Sequence, residues 1–351
     1  MKEDLKILIA YNAPVSLYSL YSGKETGNQP EDLSESSFFN ELELIKESLE
    51  PYYSCIELLA VDKDIFTLME KLRKIQPDVI VNFVESVEGI SSFESYITGL
   101  YELLNIPYTG NGPLALNNCL DKARAKEFLI ADGIKTPGYY VYKYKKSNPL
   151  NNFNLSFPVI SKLAKEDASI GISENSVSFN KPDLLQQLDF LTSTYKQDII
   201  IEEFIDGREF NIAILGNSPL PVSEICFTSL PGNLPKIVTY EGKWIADTVY
   251  YKSTIPCCPA IIDLNTTSLL QDTAIKAFHS LNCRDYARVD IRLSHDGIPF
   301  VIEVNPNPDI TSDSGFNRAA CALGMDYGMM LKKIITLSLE RHLYDTTNKR
   351  I

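Results

Sequence analysis

The sequence predicts a mixed chain, parallel α/β at its N-terminus and α+β over the remainder. Two observations carry this. Through residues 1–118, strand-like and helix-like apolar periods alternate one for one. Beyond them the β-type runs come in groups, and near the C-terminus Asp296-Gly297 separates two of them in the manner of a tight antiparallel hairpin. A length of 351 residues exceeds what one hydrophobic core usually serves, so more than one domain is expected.

Residues 6–11 form a short apolar strand. Within 38–49, Phe38, Phe39, Leu42, Ile45 and Leu49 recur at helical spacing. A strand follows at 55–61. A helix at 64–75 places Ile65, Leu68, Met69, Leu72 and Ile75 on one face. Residues 78–83 are a third strand and 93–104 a third amphipathic helix. This β-α-β-α-β-α order implies a parallel sheet with helices on its faces. The polar stretch 22–37 interrupts it as a long loop, either a disordered insertion or a substrate lid.

Residues 117–133 read as a helix ending at a glycine just past its last turn. Strands follow at 139–143 and 158–163. Asn180, with Pro182 just inside, opens a helix reaching Tyr195. Residues 198–204 are a strand. β-type runs then occupy 209–215, 222–227, 248–252, 286–293 and 300–305, around a helix at 267–281. Helices at 316–323 and 327–343 close the chain. The domain boundaries this suggests are 1–118, 119–205 and 206–351.

The net charge of −13 excludes a nucleic-acid or anionic-membrane partner, since no basic stripe offsets it. A phosphate-bearing small ligand stays open, because a few placed cations suffice. No apolar run approaches a membrane span, and the first ten residues, carrying Glu3 and Asp4, read as a strand and not a signal peptide. Seven scattered cysteines fit neither a disulfide framework nor a zinc site and suggest a reducing cytoplasm. The three histidines sit in no motif. No G-x-G-x-x-G follows the first strand, which excludes a nicotinamide-dependent dehydrogenase.

The hairpin is the most informative segment. With Asp296-Gly297 as its loop, His295 pairs with Ile298, Asp290 faces Glu303, and Arg288 faces Asn305, all four on one side of the sheet. Val289, Ile291, Ile302 and Val304 bury the other side. Two opposed carboxylates with an amide oxygen are a hard-oxygen set suited to Mg²⁺. The alternative is a solvated ladder neutralised by Arg288 and Arg292. Further back, residues 158–162 present Lys162 from a strand. The loop Glu166-Asp167-Ala168-Ser169-Ile170-Gly171-Ile172 is small enough for backbone N–H groups to approach phosphate oxygens.

Arg288-x-Asp290 followed by Glu303-x-Asn305-Pro306 resembles the C-terminal metal motif of ATP-grasp ligases. The chain is similar over nearly its whole length to the D-alanine–D-alanine ligase branch. That resemblance implies an ATP-grasp architecture with an N-terminal Rossmann-like parallel α/β domain. It implies an ATP-dependent carboxylate–amine ligase working through an acyl phosphate, with Mg²⁺ (or Mn²⁺) on Asp290, Glu303 and Asn305. Arg288 matches the residue that stabilises the acyl-phosphate and tetrahedral states. Ile201-Glu202-Glu203-Phe204-Ile205-Asp206-Gly207-Arg208-Glu209 matches the nucleotide linker. Backbone contacts to adenine come from the positions of Phe204 and Ile205, Glu202 meets the adenine amino group, and Glu209 meets the ribose. Ser169 lies in the matching phosphate loop, Lys122 and Lys162 match ATP lysines, and Lys243 matches one on a mobile loop. Ser314, in Thr311-Ser312-Asp313-Ser314-Gly315, matches the serine that holds the acceptor's carboxylate. The implied partners are a small-molecule carboxylate, an amino acid and a second copy in a homodimer.

The chain departs from the family pattern at the donor end. Asn12-Ala13-Pro14-Val15-Ser16 carries no glutamate after the first strand, and Asn82-Phe83-Val84-Glu85-Ser86 stands where a His-Gly pair is usual. Ala168 and Trp244 replace a serine and a tyrosine, and Asp167 replaces a glycine. An altered donor is therefore expected, with Glu85 or Glu88 meeting its amine, or a donor without one. The alternative is Glu25 or Glu31 folding back from the long loop. An L-amino-acid or natural-product ligase, or a catalytically silent ATP-binding regulator, are the other readings.

Overall fold

The computed structural model describes residues 2–12, 33–145 and 150–348. The N-terminal sheet is parallel, in the order β2-β1-β3, from β1 (Glu3–Asn12), β2 (Tyr53–Val61) and β3 (Val79–Phe83). Helices α1 (Leu33–Leu49), α2 (Ile65–Ile75) and α3 (Glu94–Leu103) alternate with these strands. Alternation along β1 splits its side chains between two cores. Ile7 and Ile9 pack with Leu42, Ile45 and Leu49 of α1, while Leu8 and Ala10 pack with Leu68 and Leu72 of α2 and Ile97 and Tyr101 of α3. The 22–37 loop is shorter than expected, because α1 begins at Leu33; residues 22–32, with Glu25 and Glu31, lie outside the described residues.

The helix expected at 117–133 is two, α4 (Pro113–Leu120) and α5 (Lys122–Ala131). Asp121 leaves the helical region at φ −85°, ψ 98°, and its carboxylate accepts the Arg124 N–H to cap α5. The second sheet, β4-β7-β5-β6, is antiparallel and comprises β4 (Tyr139–Tyr142), β5 (Val159–Leu163), β6 (Val177–Ser178) and β7 (Ile199–Glu203). Helix α6 (Lys181–Tyr195) covers it, capped by Asn180.

The third sheet has six strands: β8 (Gly207–Leu215), β9 (Ser218–Pro219), β10 (Ser223–Cys226), β11 (Ile255–Cys257), β12 (Tyr286–Ser294) and β13 (Pro299–Asn305). Its path is β11-β10-β8-β12-β13, with β9 on β8. Between β10 and β11 lie α7 (Tyr240–Trp244) and α8 (Val249–Ser253); then come α9 (Leu264–Ser280), α10 (Gly315–Ala322) and α11 (Tyr327–Asn348). The β-type run expected at 248–252 is thus helical. The Thr248 hydroxyl accepts the Tyr251 N–H, and this cap outweighs the strand preference of Val249, Tyr250 and Tyr251. One core joins α4 and α5 to α9 and the buried side of β8, β12 and β13.

The hairpin keeps Arg288 opposite Asn305 and Asp290 opposite Glu303, but by a different route. The Ser294 N–H donates to the Ile298 carbonyl, so the loop is His295-Asp296-Gly297, with Gly297 at φ 73°. A bulge between Asp290 and Ile291 restores the register that this extra loop residue shifts. The bulge also overturns one burial expectation. Val301, not Ile302, joins Val289, Ile291 and Val304 in the core, and Ile302 turns to the side of Glu303.

At the start of β8, a Cβ on Gly207 would collide with the Leu293 carbonyl oxygen. Gly207→Ala is expected to destabilise the protein by about 1–3 kcal/mol, the usual cost of overpacking. Thermal melts measure this; a parental melting temperature would show that β8 and β12 separate there at little cost.

Candidate active site

A cavity of about 1120 Å³ runs between the second and third sheets and reaches the C-terminal end of the first. All thirteen residues singled out in the sequence line it: Lys122, Lys162, Ser169, Glu202, Phe204, Ile205, Glu209, Lys243, Arg288, Asp290, Glu303, Asn305 and Ser314. They come from seven strands and helices and the loops between them, so no local stretch could have formed it.

Its floor is the polar side of β8, β12 and β13. Register aligns Asn211 with Asp290 and Glu209 with Arg292 across β8 and β12. Arg288 holds both oxygens of Asp290, at 2.8 and 2.9 Å, and Asn211 donates to one of them at 2.8 Å. Burial works against the Arg288 charge, but Asp290 more than offsets it and the guanidinium pKa rises. Glu303 is paired separately, with Lys122 Nζ 3.0 Å from its Oε1. Burial alone would raise the Glu303 pKa; Lys122, then Lys162 and Lys243, bring it down to about 2. Lys122 also lies 3.1 Å from Asp167, and these two carboxylates outweigh its burial and raise its pKa. The repulsion between opposed carboxylates that the hairpin implied is therefore met by one cation for each.

The end of the cavity around Glu202 and Glu209 is equally paired. Glu202 is 1% exposed and lies between Lys162, 2.9 Å from Oε2, and Lys126, 3.1 Å from Oε1. Burial would raise its pKa; the two lysines lower it. Glu209 is bound to Arg292 at 2.7 Å, and Arg292 also donates to the carbonyls of Ile205 and Lys236. The Phe204 N–H donates to the Pro158 carbonyl and its ring lies under the Arg292 guanidinium. Of the main-chain groups of this pair, the Phe204 carbonyl and the Ile205 N–H have no hydrogen-bond partner among the described residues. In the 166–172 loop, Ala168 and Ser169 take consecutive left-handed conformations, φ 53° and 60°, a strained arrangement that makes their N–H groups a concave anion cradle.

Lys243 projects into the cavity from α7, not from an irregular loop, and α7 is fastened to the 166–172 loop by the Trp244 Nε1–H on the Ala168 carbonyl. Crowding by the cavity walls, then Arg288, push the Lys243 pKa down. Ser314 caps α10 through its own hydroxyl, leaving the helix N-terminus facing the cavity. Beyond it the lining is acidic, with Glu41, Glu85, Glu94, Asp309 and Asp313 near Arg318. Glu94 accepts a bond from Asn307 at 2.8 Å and has no cation within ion-pair distance among the described residues. Burial, then Glu85, push its pKa well up. Of the expected donor-end acids, Glu85 lines the cavity, whereas Glu88 is paired with Lys63 at 3.1 Å and does not.

The donor set fits Mg²⁺ in kind: two carboxylates and the Asn305 amide, whose side chain has no hydrogen-bond partner among the described residues. Among those residues no group of three or more His, Cys, Asp or Glu is arranged to hold a metal unaided. Sequence reasoning missed Lys126, Asn211 and Glu94. Asn211 was findable as the next residue on the face of Glu209, and Lys126 as one helical turn beyond Lys122. Glu94 had no signal, since α3 is distant in sequence from every motif.

The D-ala D-ala ligase C-terminus family model matches residues 131–336. Among relatives, the Uncharacterized protein y4sG of Sinorhizobium fredii is 31% identical over 80% of this chain and 82% of its own. The D-alanine–D-alanine ligase of a Marinomonas species is 33% identical over 71% of this chain and 74% of its own. In fold, the chain resembles the D-alanine–D-alanine ligase of Bacillus anthracis crystallised with ATP, with a TM-score of 0.72, 23% identity, and 98% and 100% of the two chains covered.

The pairing of Glu303 sets a sign opposite to that of simple carboxylate repulsion. Its folded pKa, about 2 against an ordinary 4.5, means a stabilisation present above pH 4.5 and lost as pH falls toward 2. In metal-free buffer, Glu303→Gln is expected to lower the melting temperature at pH 7 and to flatten the acid limb between those values. A variant more stable than the parent at pH 7 would show that repulsion from Asp290 dominates.

Proposed function

This chain belongs to the D-alanine–D-alanine ligase family of ATP-grasp enzymes, ATP-dependent ligases that form C–N bonds, and we propose that it couples a donor carboxylate other than D-alanine to an amino-acid amine. One observation carries the assignment of roles. Lys122, Lys162 and Lys243, from three separate elements, converge with the Ala168–Ser169 cradle and the Asp290, Glu303 and Asn305 oxygens on one cavity.

ATP would lie with its base against Ile302, Phe204 and Ile205 and its phosphates toward the cradle, Lys162 and Lys243. Asp290, Glu303 and Asn305 would hold Mg²⁺, which would supply positive charge against the phosphates. The donor carboxylate attacks the γ-phosphorus, giving an acyl phosphate and ADP. The acceptor amine then attacks the acyl carbon, loses a proton, and releases phosphate. Positioning and charge stabilisation dominate such chemistry. Arg288 would face the negative charge that develops on the acyl oxygen. Ser314 and the N-terminus of α10 would hold the acceptor carboxylate.

The altered donor rests on the first strand and on Glu94. Asn12 offers its amide inward, accepting the Glu85 N–H at 3.1 Å and donating to Ser86, so it supplies no charge to an ammonium. Glu94 is then the carboxylate best placed to meet a donor amine. Residues 13–16, the rest of that stretch, lie outside the described residues. We also propose a cytoplasmic setting, supported by seven cysteines of which none is in a disulfide, and a homodimer, supported by family likeness. Among the described residues no helix is long and apolar enough to cross a membrane.

Amine-dependent phosphate release from ATP, screened over pairs of amino acids in both enantiomers, tests the ligase reading against a silent ATP-binding regulator. ATP turnover that no amine accelerates would favour the regulator. Lys162→Ala is expected to raise the KM for ATP at least about tenfold and to lower kcat, since one cation meets both ground-state and transition-state phosphates. Arg288→Ala should act mainly on kcat. With D-alanine alone, D-alanyl-D-alanine formation should be slow, and Glu94→Gln should cost about tenfold or more in kcat/KM for whichever amine-bearing donor the screen identifies. Rapid D-alanyl-D-alanine formation would refute the altered donor.

A further inference from the structure

Helix α5 brings two lysines into the protein one turn apart on the same face, Lys122 at 7% and Lys126 at 2% exposure. Lys122 lines the cavity; Lys126 lies behind it, off the lining. Its Nζ donates to Thr136 Oγ1 at 2.8 Å and stands 3.1 Å from Glu202 Oε1. That oxygen accepts no directed hydrogen bond, so the contact is held by charge. The other oxygen of Glu202 accepts from Lys162, which does line the cavity.

Two lysines and one carboxylate leave one net positive charge. Were Lys126 absent, Lys162 and Glu202 would be a neutral pair, and a phosphate arriving at Lys162 would meet a cation already compensated. We propose that Lys126 is a positioning residue that neutralises Glu202 from behind, so that Lys162 presents an uncompensated positive charge to the phosphates. This rests on the nucleotide placement proposed above. Burial, and then Lys162, lower the Lys126 pKa while Glu202 raises it, so each member of the triad depends on the others for its charge. A carboxylate that faced the cavity with only Lys162 would instead repel phosphate at short range, where a low dielectric magnifies each charge.

The test uses the full-length protein, with Kd measured calorimetrically for ATP and for inorganic tripolyphosphate, which has no base to contact Glu202. Lys126→Met is expected to weaken both about tenfold or more. Adding Glu202→Gln to it returns the triad to one positive charge and should restore tripolyphosphate binding to within about threefold of the parent. A merely structural lysine would give no such rescue. If Lys126→Met fails to fold, Glu202→Gln alone, carrying two positive charges, should bind tripolyphosphate several-fold more tightly than the parent. Parental tripolyphosphate affinity in Lys126→Met, no rescue in the double variant, or no gain in Glu202→Gln would each overturn the proposal. Lys162→Ala separates the two failures. Unchanged tripolyphosphate affinity there would mean the phosphates are misplaced altogether; a loss there with none in Lys126→Met would sink the Lys126 role alone.

Discussion

Charge pairing in a poorly solvated interior is the constraint on which this structure turns. Glu202, Glu209, Asp290 and Glu303 all stand on strands around one cavity, three of them buried. Unpaired, each would be strongly destabilising. Lysines from α5, arginines from β12 and Lys162 from β5 meet them one by one. Lys122 and Lys126, one turn apart on α5, reach Glu303 in the third sheet and Glu202 in the second, so α5 ties the two sheets through the electrostatics of the site.

The apolar frame supports the same geometry from behind. Ala125 and Leu129 of α5 enter the core formed with α9 and the buried side of β8, β12 and β13. The buried face that carries Ala125 and Leu129 into that core is also the face that delivers Lys122 and Lys126. A second core joins β1 and α1 to α10 and α11, and Arg341 of α11 bonds both Asp285 and the Tyr108 carbonyl. Closely packed interiors of this kind hold side chains to a few tenths of an ångström, which phosphoryl transfer requires of its cations.

The two ends of the cavity differ in character. Around β7 and β8, Glu202 and Glu209 each have a cation, whereas Glu203 beside them has none within ion-pair distance among the described residues. Toward α3 and α10, Glu41, Glu94, Asp309 and Asp313 have none within ion-pair distance among the described residues. Asp167 adds a carboxylate within the phosphate loop, held by Lys122, with its own pKa raised by burial against the pull of that lysine and by Glu303. An acid-rich pocket favours substrates that bring ammonium groups, which agrees with a reaction whose acceptor is an amine.

The sequence by itself determined the local periods and their order. The alternation in residues 3–103, the cap at Asn180, and the pairing of Asp290 with Glu303 were legible because each depends on neighbours a few residues apart. The family motifs also named thirteen residues that line one cavity. Only the tertiary structure decided what those residues do to one another. The hairpin reached its register through a longer loop and a compensating bulge, and that bulge moved Ile302 out of the core. The run at 248–252 became a helix because a single hydroxyl capped it. Lys126 meets Glu202, and Lys122 meets Glu303, across 76 and 181 residues of chain, by subtraction of their positions. Charges so far apart in sequence leave no periodic trace. Their partners are chosen by burial, which is a property of the whole packed molecule and not of any stretch of it.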